Sequence, residues 1–380
     1  MTPIGDHLMM PTSNRKGMAL PMALGAIVII GGLISAAVYV STQDYRIASN
    51  TARESQAIAV AEYGLNRALQ EWQPSLNLSM VTGDTLKKSY TVNGGTANVL
   101  ITKLPGSFFL ASSEGTTGGM GQQARRRYGT LLRINTPNVN FLGAVTAAGN
   151  VTVKGNVTVN GNDVSPTGWG SCPTLTNIPG SVVTPSATVS VQGSVSITGN
   201  PAYTTSTTAG DTNTYFNYGN STYTSLAALA NITLPGGNYS GMAPVVSGSA
   251  CQTSSSNNWG DPVRHTPAAA CESYFPIIHI TGNLTATNGT GQGILLVDGD
   301  LTKAGNFNFY GLVIARGTIR SSGSNNGVTG AELAASIDEG DAVLLTGSTK
   351  IQYSSCVLSN AFNGSSTLAP VKQRAWVDLY

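Results

Sequence analysis

Residues 19–40 read ALPMALGAIVIIGGLISAAVYV, an uncharged run that constrains the chain more than any other feature. As a helix rising 1.5 Å per residue it extends about 33 Å, enough to cross the ~30 Å hydrocarbon layer of a bilayer. Arg15 and Lys16 precede it, whereas Asp44, Arg46, Arg53 and Glu54 follow with mixed sign. Positive flanking charge favours the cytoplasm. The expected topology is single-pass in the inner membrane, with residues 1–17 inside and the bulk of the chain periplasmic. A cleaved secretory signal is the competing reading. Ser35-Ala36-Ala37 imitates its cleavage site, but apolar residues run on past that point.

Helical character continues beyond the apolar run. Residues 43–72 contain no Pro and are dominated by Ala, Glu, Arg, Gln and Leu. Ile58, Ala61, Leu65, Leu69 and Trp72 fall on one helical stripe, and Pro74 ends the pattern. The sequence thus predicts one helix of about 55 residues, roughly 80 Å long. Its first half suits lipid, and its second half is amphipathic and needs a globular partner.

Arg15-Lys16-Gly17-Met18 ahead of this run resembles the junction cut by prepilin peptidase in type IV pilins and pseudopilins. Residues 41–69, STQDYRIASNTARESQAIAVAEYGLNRAL, are similar to the N-terminal domain of PilX-type pilus assembly proteins, with Asn50 in the polar stretch and 57–68 in the Ala-Glu-rich helix. The resemblance covers residues 15–72. It implies cleavage after Gly17, Met18 as the new N-terminus, and a helix packed into a filament core through Met22, Leu24, Ile27 and Ile30. Its implied partners are prepilin peptidase, other pilins and the membrane. Most major pilins carry Glu where this chain has Met22, a departure that points to a minor subunit. An uncleaved single-pass anchor is the alternative.

Residues 73–136 alternate β-prone runs with turn signals. Runs 89–92, 96–103, 107–113 and 128–134 read as strands, joined through Asn93-Gly94-Gly95 and Pro105-Gly106. A small antiparallel meander of this kind would cover the stripe from Ile58 to Trp72. Arg125-Arg126-Arg127 reads as a solvated strand edge that discourages aggregation.

Beyond Pro137 glycine recurs every six residues, at Gly143, Gly149, Gly155 and Gly161, and again from Gly293 through Gly299, Gly305, Gly311 and Gly317 to Gly323. Apolar residues keep the same phase two and four positions after Gly, as in Leu295, Val297, Phe307, Phe309, Val313 and Ala315. Short strands with inward side chains and Gly corners are expected, stacked so that each repeat buries its apolar face on the next. The expected fold class is α+β. It comprises a leader (1–17), a pilin-like helix (18–72, transmembrane over 19–40), a small antiparallel region (73–136) and a mainly-β distal unit (137–380). A parallel β-solenoid is favoured for that unit over a β-sandwich, with a loop insertion at 201–276.

Composition narrows the chemistry. Charged residues are 10% of the chain, the net charge is +2 and there are three His, so no dense basic face for nucleic acid is expected. Cys172, Cys251, Cys271 and Cys356 all follow the membrane run; an even number in an oxidising compartment favours disulfides. Cys251–Cys271 would close a Ser-rich loop and Cys172–Cys356 would tie the ends of the distal unit, though three pairings are open. No CxxC spacing suggests a metal, and no cofactor is expected. The acidic clusters are Asp298-Gly299-Asp300 and Asp338-Glu339-Gly340-Asp341. Turn formation explains these best, calcium on a corner being the rival. A solenoid carbohydrate-active enzyme needs carboxylates grouped with cationic helpers on one wall; Lys303, Arg316 and Arg320 could approach Asp298 or Asp300 across coils, but nothing ties them into a site, and His265 and His279 lack a nucleophile at recognisable spacing. Tyr and Asn residues around 203–223 suit either a surface or glycan ligand or a solvated loop. The expected function is a non-enzymatic minor pilin-like subunit in pilus assembly, priming and adhesion, with a permanently anchored envelope scaffold as the alternative.

Overall fold

The computed structural model describes residues 19–73, 76–92, 94–118, 123–137, 139, 141–169, 172, 175–218, 221–263, 270–335, 341–371 and 376–379. Helix α1 (Ala19–Gln70) runs unbroken for 52 residues. Its buried residues are Ala57, Val60, Ala61, Gly64, Leu65 and Ala68, one face at i, i+3, i+4, i+7 spacing. This face is turned relative to the expected stripe. Ala61 and Leu65 lie in it, whereas Ile58, Leu69 and Trp72 are half-buried at its margin. Closeness of approach is the reason. A Cβ added to Gly64 would collide with the Cβ of Ala97, and one on Gly115 would collide with the carbonyl oxygen of Ala57. Small residues, not the most hydropathic ones, set the face that touches the sheet.

That sheet is an antiparallel meander of β1 (Thr85–Val92), β2 (Gly95–Lys103), β3 (Phe108–Thr117) and β4 (Ala124–Asn135), hydrogen-bonded in chain order. Gly94 and Gly106 take positive φ in the two tight connections, as a hairpin turn requires. Leu65 and Ala68 pack with Val99, Ile101, Phe109, Ala111 and Leu132, and Trp72 meets Phe109 edge-on at 5.2 Å between centroids. The expected assignment of 137–380 to one distal unit needs correction. Strands Thr367–Pro370 and Trp376–Leu379 return to pair antiparallel with β4, so the end of the chain completes the first sheet.

The second sheet is parallel. In Ile277–Val297 and Leu301–Ala315, partners such as Leu284 with Leu301 and Gly293 with Gly311 lie 17 or 18 residues apart. The next step, into Ser324–Ala334, pairs Gly311 with Gly330. One layer therefore spends three six-residue Gly units. The phase explains the core: Leu295, Leu301, Phe307, Val313 and Ile319 are fully buried, as are Val297, Phe309 and Ala315. At the corners, polar side chains satisfy the backbone of the adjacent layer. Asn283 Oδ1 accepts from the Asp300 N–H at 2.9 Å, and Asp300 Oδ1 accepts from the Thr318 N–H at 2.8 Å.

The layers are not stacked in chain order. Ser324–Ala334, Asp341–Leu345 and Ser348–Tyr353 pair with Val145–Ala147, Asn150–Lys154 and Thr158–Asn160, so late strands seat on early ones. Val189–Gln192, Ser196–Thr198 and Tyr203–Thr205 lie beyond those early strands. Ile232–Ser240 pairs with Ile277–Val297 at the other end. The stretch 201–276 is therefore not only a loop insertion, because it contributes strands at both ends of the stack. Asn77 joins the two parts of the chain, donating to Asn363 O at 2.9 Å and Ser366 Oγ at 2.8 Å beside the helix Ser355–Ser365.

Gly115→Val places carbon against unyielding helix backbone and is expected to cost at least about 2 kcal/mol. Thermal unfolding of the full chain in detergent measures this, with Gly25→Ala, which meets nothing within 4 Å, expected to be neutral. Equal midpoints for wild type and Gly115→Val would contradict the close seat.

Candidate functional site

The N-terminal half of α1 exposes a continuous run of large apolar residues. Met22, Leu24, Ile27 and Ile30 expose between 54% and 68% of their surface, and Leu20, Val28, Ile29, Leu33, Ile34 and Val38 are equally bare. In water such a surface would cost tens of cal/mol for each Å² of apolar area left uncovered. The helix is long and apolar enough to cross a membrane. Gly17 and Met18 lie outside the described residues.

Where the apolar stretch ends, α1 and the start of β4 enclose a cleft lined by Tyr45, Arg46, Arg53, Glu54, Arg125 and Arg126. The strand's period of two divides the arginine run between faces. Arg126 reaches back to Glu54 on α1 at 2.9 Å, while Arg125 and Arg127 meet Glu114 on the other face at 3.5 and 2.8 Å. The run is thus an ion-paired junction between helix and sheet, more than a solvated edge.

Cys172 is bonded to Cys356 and Cys251 to Cys271, with Cα atoms 5.4 and 4.9 Å apart. The first anchors the helix Ser355–Ser365. Asp163 reinforces it, accepting from the Ser355 N–H at 2.8 Å and the Leu175 N–H at 2.7 Å. The second closes the Ser-rich loop, where Asn258 Nδ2 donates to Gln252 O at 2.9 Å.

The corner carboxylates do gather partners across layers. Asp298 accepts from the Tyr223 hydroxyl at 3.0 Å, lies 3.1 Å from His279 Nε2, and has Arg316 at 4.0 Å. Arg316 also sits over the Phe216 and Tyr223 rings. Burial, then the charge of Asp298, pushes the Tyr223 hydroxyl far above its ordinary range, so it stays protonated as a donor. Asp300 pairs with Arg320 at 2.9 Å. Burial alone would raise its pKa, but the Thr318 N–H and the Arg320 guanidinium outweigh that and hold it below the usual carboxylate value.

Two expectations change here. Lys303 does not approach Asp298 or Asp300; it points inward and pairs with Glu332. The hexad phase carried this signal, since Lys303 stands four positions after Gly299, the place held by the buried Val153, Val159, Val297, Phe309 and Ala315 in other hexads. Of the Tyr residues expected to be exposed, Tyr203 is, whereas Tyr215, Tyr218 and Tyr223 are buried against the stack. Asp338, Glu339, Gly340 and His265 lie outside the described residues. No group of three His, Cys, Asp or Glu that could hold a metal occurs among the described residues.

No family model and no curated protein matches the chain. Among solved structures, the crystal structure of competence-associated pilin ComZ from Thermus thermophilus aligns over 86% of this chain and 96% of its own, at 12% identity and a TM-score of 0.24. An alignment that loose carries no argument by itself.

Asp300 has a lowered folded-state pKa, so its contribution to stability is present above the ordinary carboxylate value of ~3.9 and fades as pH falls through the lower value. Asp300→Asn should therefore be less stable than wild type at pH 7, with the gap closing as pH falls below the ordinary carboxylate value. Denaturant titrations across that range test it, and a gap independent of pH would contradict it.

Proposed function

We propose that this chain is a non-enzymatic, minor pilin-like subunit of a type IV pilus or related filament, acting in assembly and priming and displaying its β body for adhesion. One observation carries the reading: a single helix is bare along its apolar half and forms the spine of a sheet along the other. A rod of that kind can lie in a bilayer before assembly and pack on other pilin helices afterwards without refolding the head. Met22, Leu24, Ile27 and Ile30 are assigned to the filament core. Ala61 and Leu65, flanked by Ile58, Leu69 and Trp72, hold the head to the rod. Prepilin peptidase is the assigned partner at Gly17–Met18, leaving the leader in the cytoplasm and the β body in the periplasm or, after assembly, on the cell surface.

On this reading the parallel sheet winds as a β-solenoid with three six-residue sides per coil. The 17–19-residue registers and the Gly-on-Gly corners support it. The body would be a rigid spacer, with the Tyr203 end available to a surface or glycan. A non-enzymatic role is supported by the engagement of Asp298 and Asp300 in corner ion pairs and by the burial of Lys303 away from both.

A permanently anchored scaffold is the second reading, favoured by the N-terminal half of α1, which is long and apolar enough to cross a membrane. Mass spectrometry of the mature N-terminus, with fractionation of sheared filaments, separates the two. Wild type is expected to begin at Met18 and to occur in the filament fraction, and Gly17→Ala to keep its leader. A wild-type chain that retains residues 1–17 and never leaves the membrane fraction would overturn the pilin reading.

A further inference from the structure

Lys303 and Glu332 are both fully buried, with the Lys303 amine in direct contact with Glu332 Oε1. They stand on the hydrogen-bonded neighbours Leu301–Ala315 and Ser324–Ala334, 29 positions apart in sequence. Register puts Ala286 and Ser321 on either side of Lys303, and Val313 and Val145 on either side of Glu332. The second oxygen of Glu332 and the hydroxyl of Ser321 have no hydrogen-bond partner among the described residues. A buried ion pair persists at low cost only when its remaining protons and lone pairs are also satisfied. This one leaves them bare.

We propose that the pair is the site of an intramolecular amide cross-link between Lys303 Nζ and Glu332 Cδ. The reacting form is the neutral pair, amine and carboxylic acid. It differs from the ion pair by one proton moved across the contact. The Nζ lone pair adds to Cδ, one carboxyl C–O bond breaks, and that oxygen leaves as water with the acid proton and one amine proton. One C–N bond forms, no atom changes oxidation state, and no cofactor or second reactant is required. Contact between the two side chains in a closed core supplies the proximity such a step needs. The product removes both charges, leaving one N–H and one C=O where three N–H groups and two oxygens stood. It would also tie adjacent layers of the stack covalently, next to the seam where late strands meet Val145–Ala147.

The test is the mass of the full-length protein after its disulfides are reduced, followed by protease mapping. Wild type is expected to be lighter by one water than its sequence requires, and to release the Lys303 and Glu332 peptides as one branched species. The double variant K303M/E332L, which replaces the pair with apolar side chains of similar volume and so protects folding, is expected at its full sequence mass with linear peptides only. Recovery of Lys303 and Glu332 from wild type in separate linear peptides overturns the proposal, whatever the intact mass. That outcome would leave the pilin reading untouched, since the membrane rod does not depend on it.

Discussion

Between Ala57 and Ala68, α1 approaches the antiparallel sheet until backbone nearly meets backbone, and every other placement in the molecule follows from that seat. Gly64 lies on Ala97, and Gly115 lies under Ala57 and Ala61. The full burial of Leu65 in this contact is alone worth roughly 2 kcal/mol. Because α1 is one unbroken helix, fixing its C-terminal third also fixes the direction of the apolar rod that precedes it. The Arg126–Glu54 pair extends that attachment about one turn toward the rod, just ahead of Ala57.

The second sheet inherits its position through β4. Both C-terminal strands pair with it, and Asn77 joins the first unit to the helix Ser355–Ser365. The chain thus leaves the antiparallel sheet once, builds the parallel stack, and returns. The Cys172–Cys356 bond closes part of that excursion near its end. A disulfide enclosing so long a segment acts chiefly by restricting the unfolded chain.

Much of this was legible in the residues. The uncharged run 19–40, its helical continuation, the glycines at 94 and 106 and the six-residue glycine period each map to a physical requirement met in the structure. The exact face of α1 was not legible. Hydropathy rewards Ile58 and Trp72, whereas the contact selects Ala57, Ala61 and Gly64 for their small size. The layer order was not legible either, because every hexad presents the same phase and nothing local distinguishes a sequential neighbour from a spliced one. Of the Asp298 partners, His279 lies 19 positions earlier, one register step, whereas Tyr223 comes from 75 positions away and only the stacking brings it there. Lys303 and Ser321 were readable as inward positions from their phase, but Glu332 as partner required the fold.

The central claim is that the bare half of α1 is a surface made for other helices as well as for lipid. A photoreactive side chain placed at Ile30 in the full-length protein tests it in assembled filaments. The account predicts covalent adducts to a neighbouring pilin helix in the sheared filament fraction. Adducts confined to lipid, with no protein partner in any fraction, would contradict it.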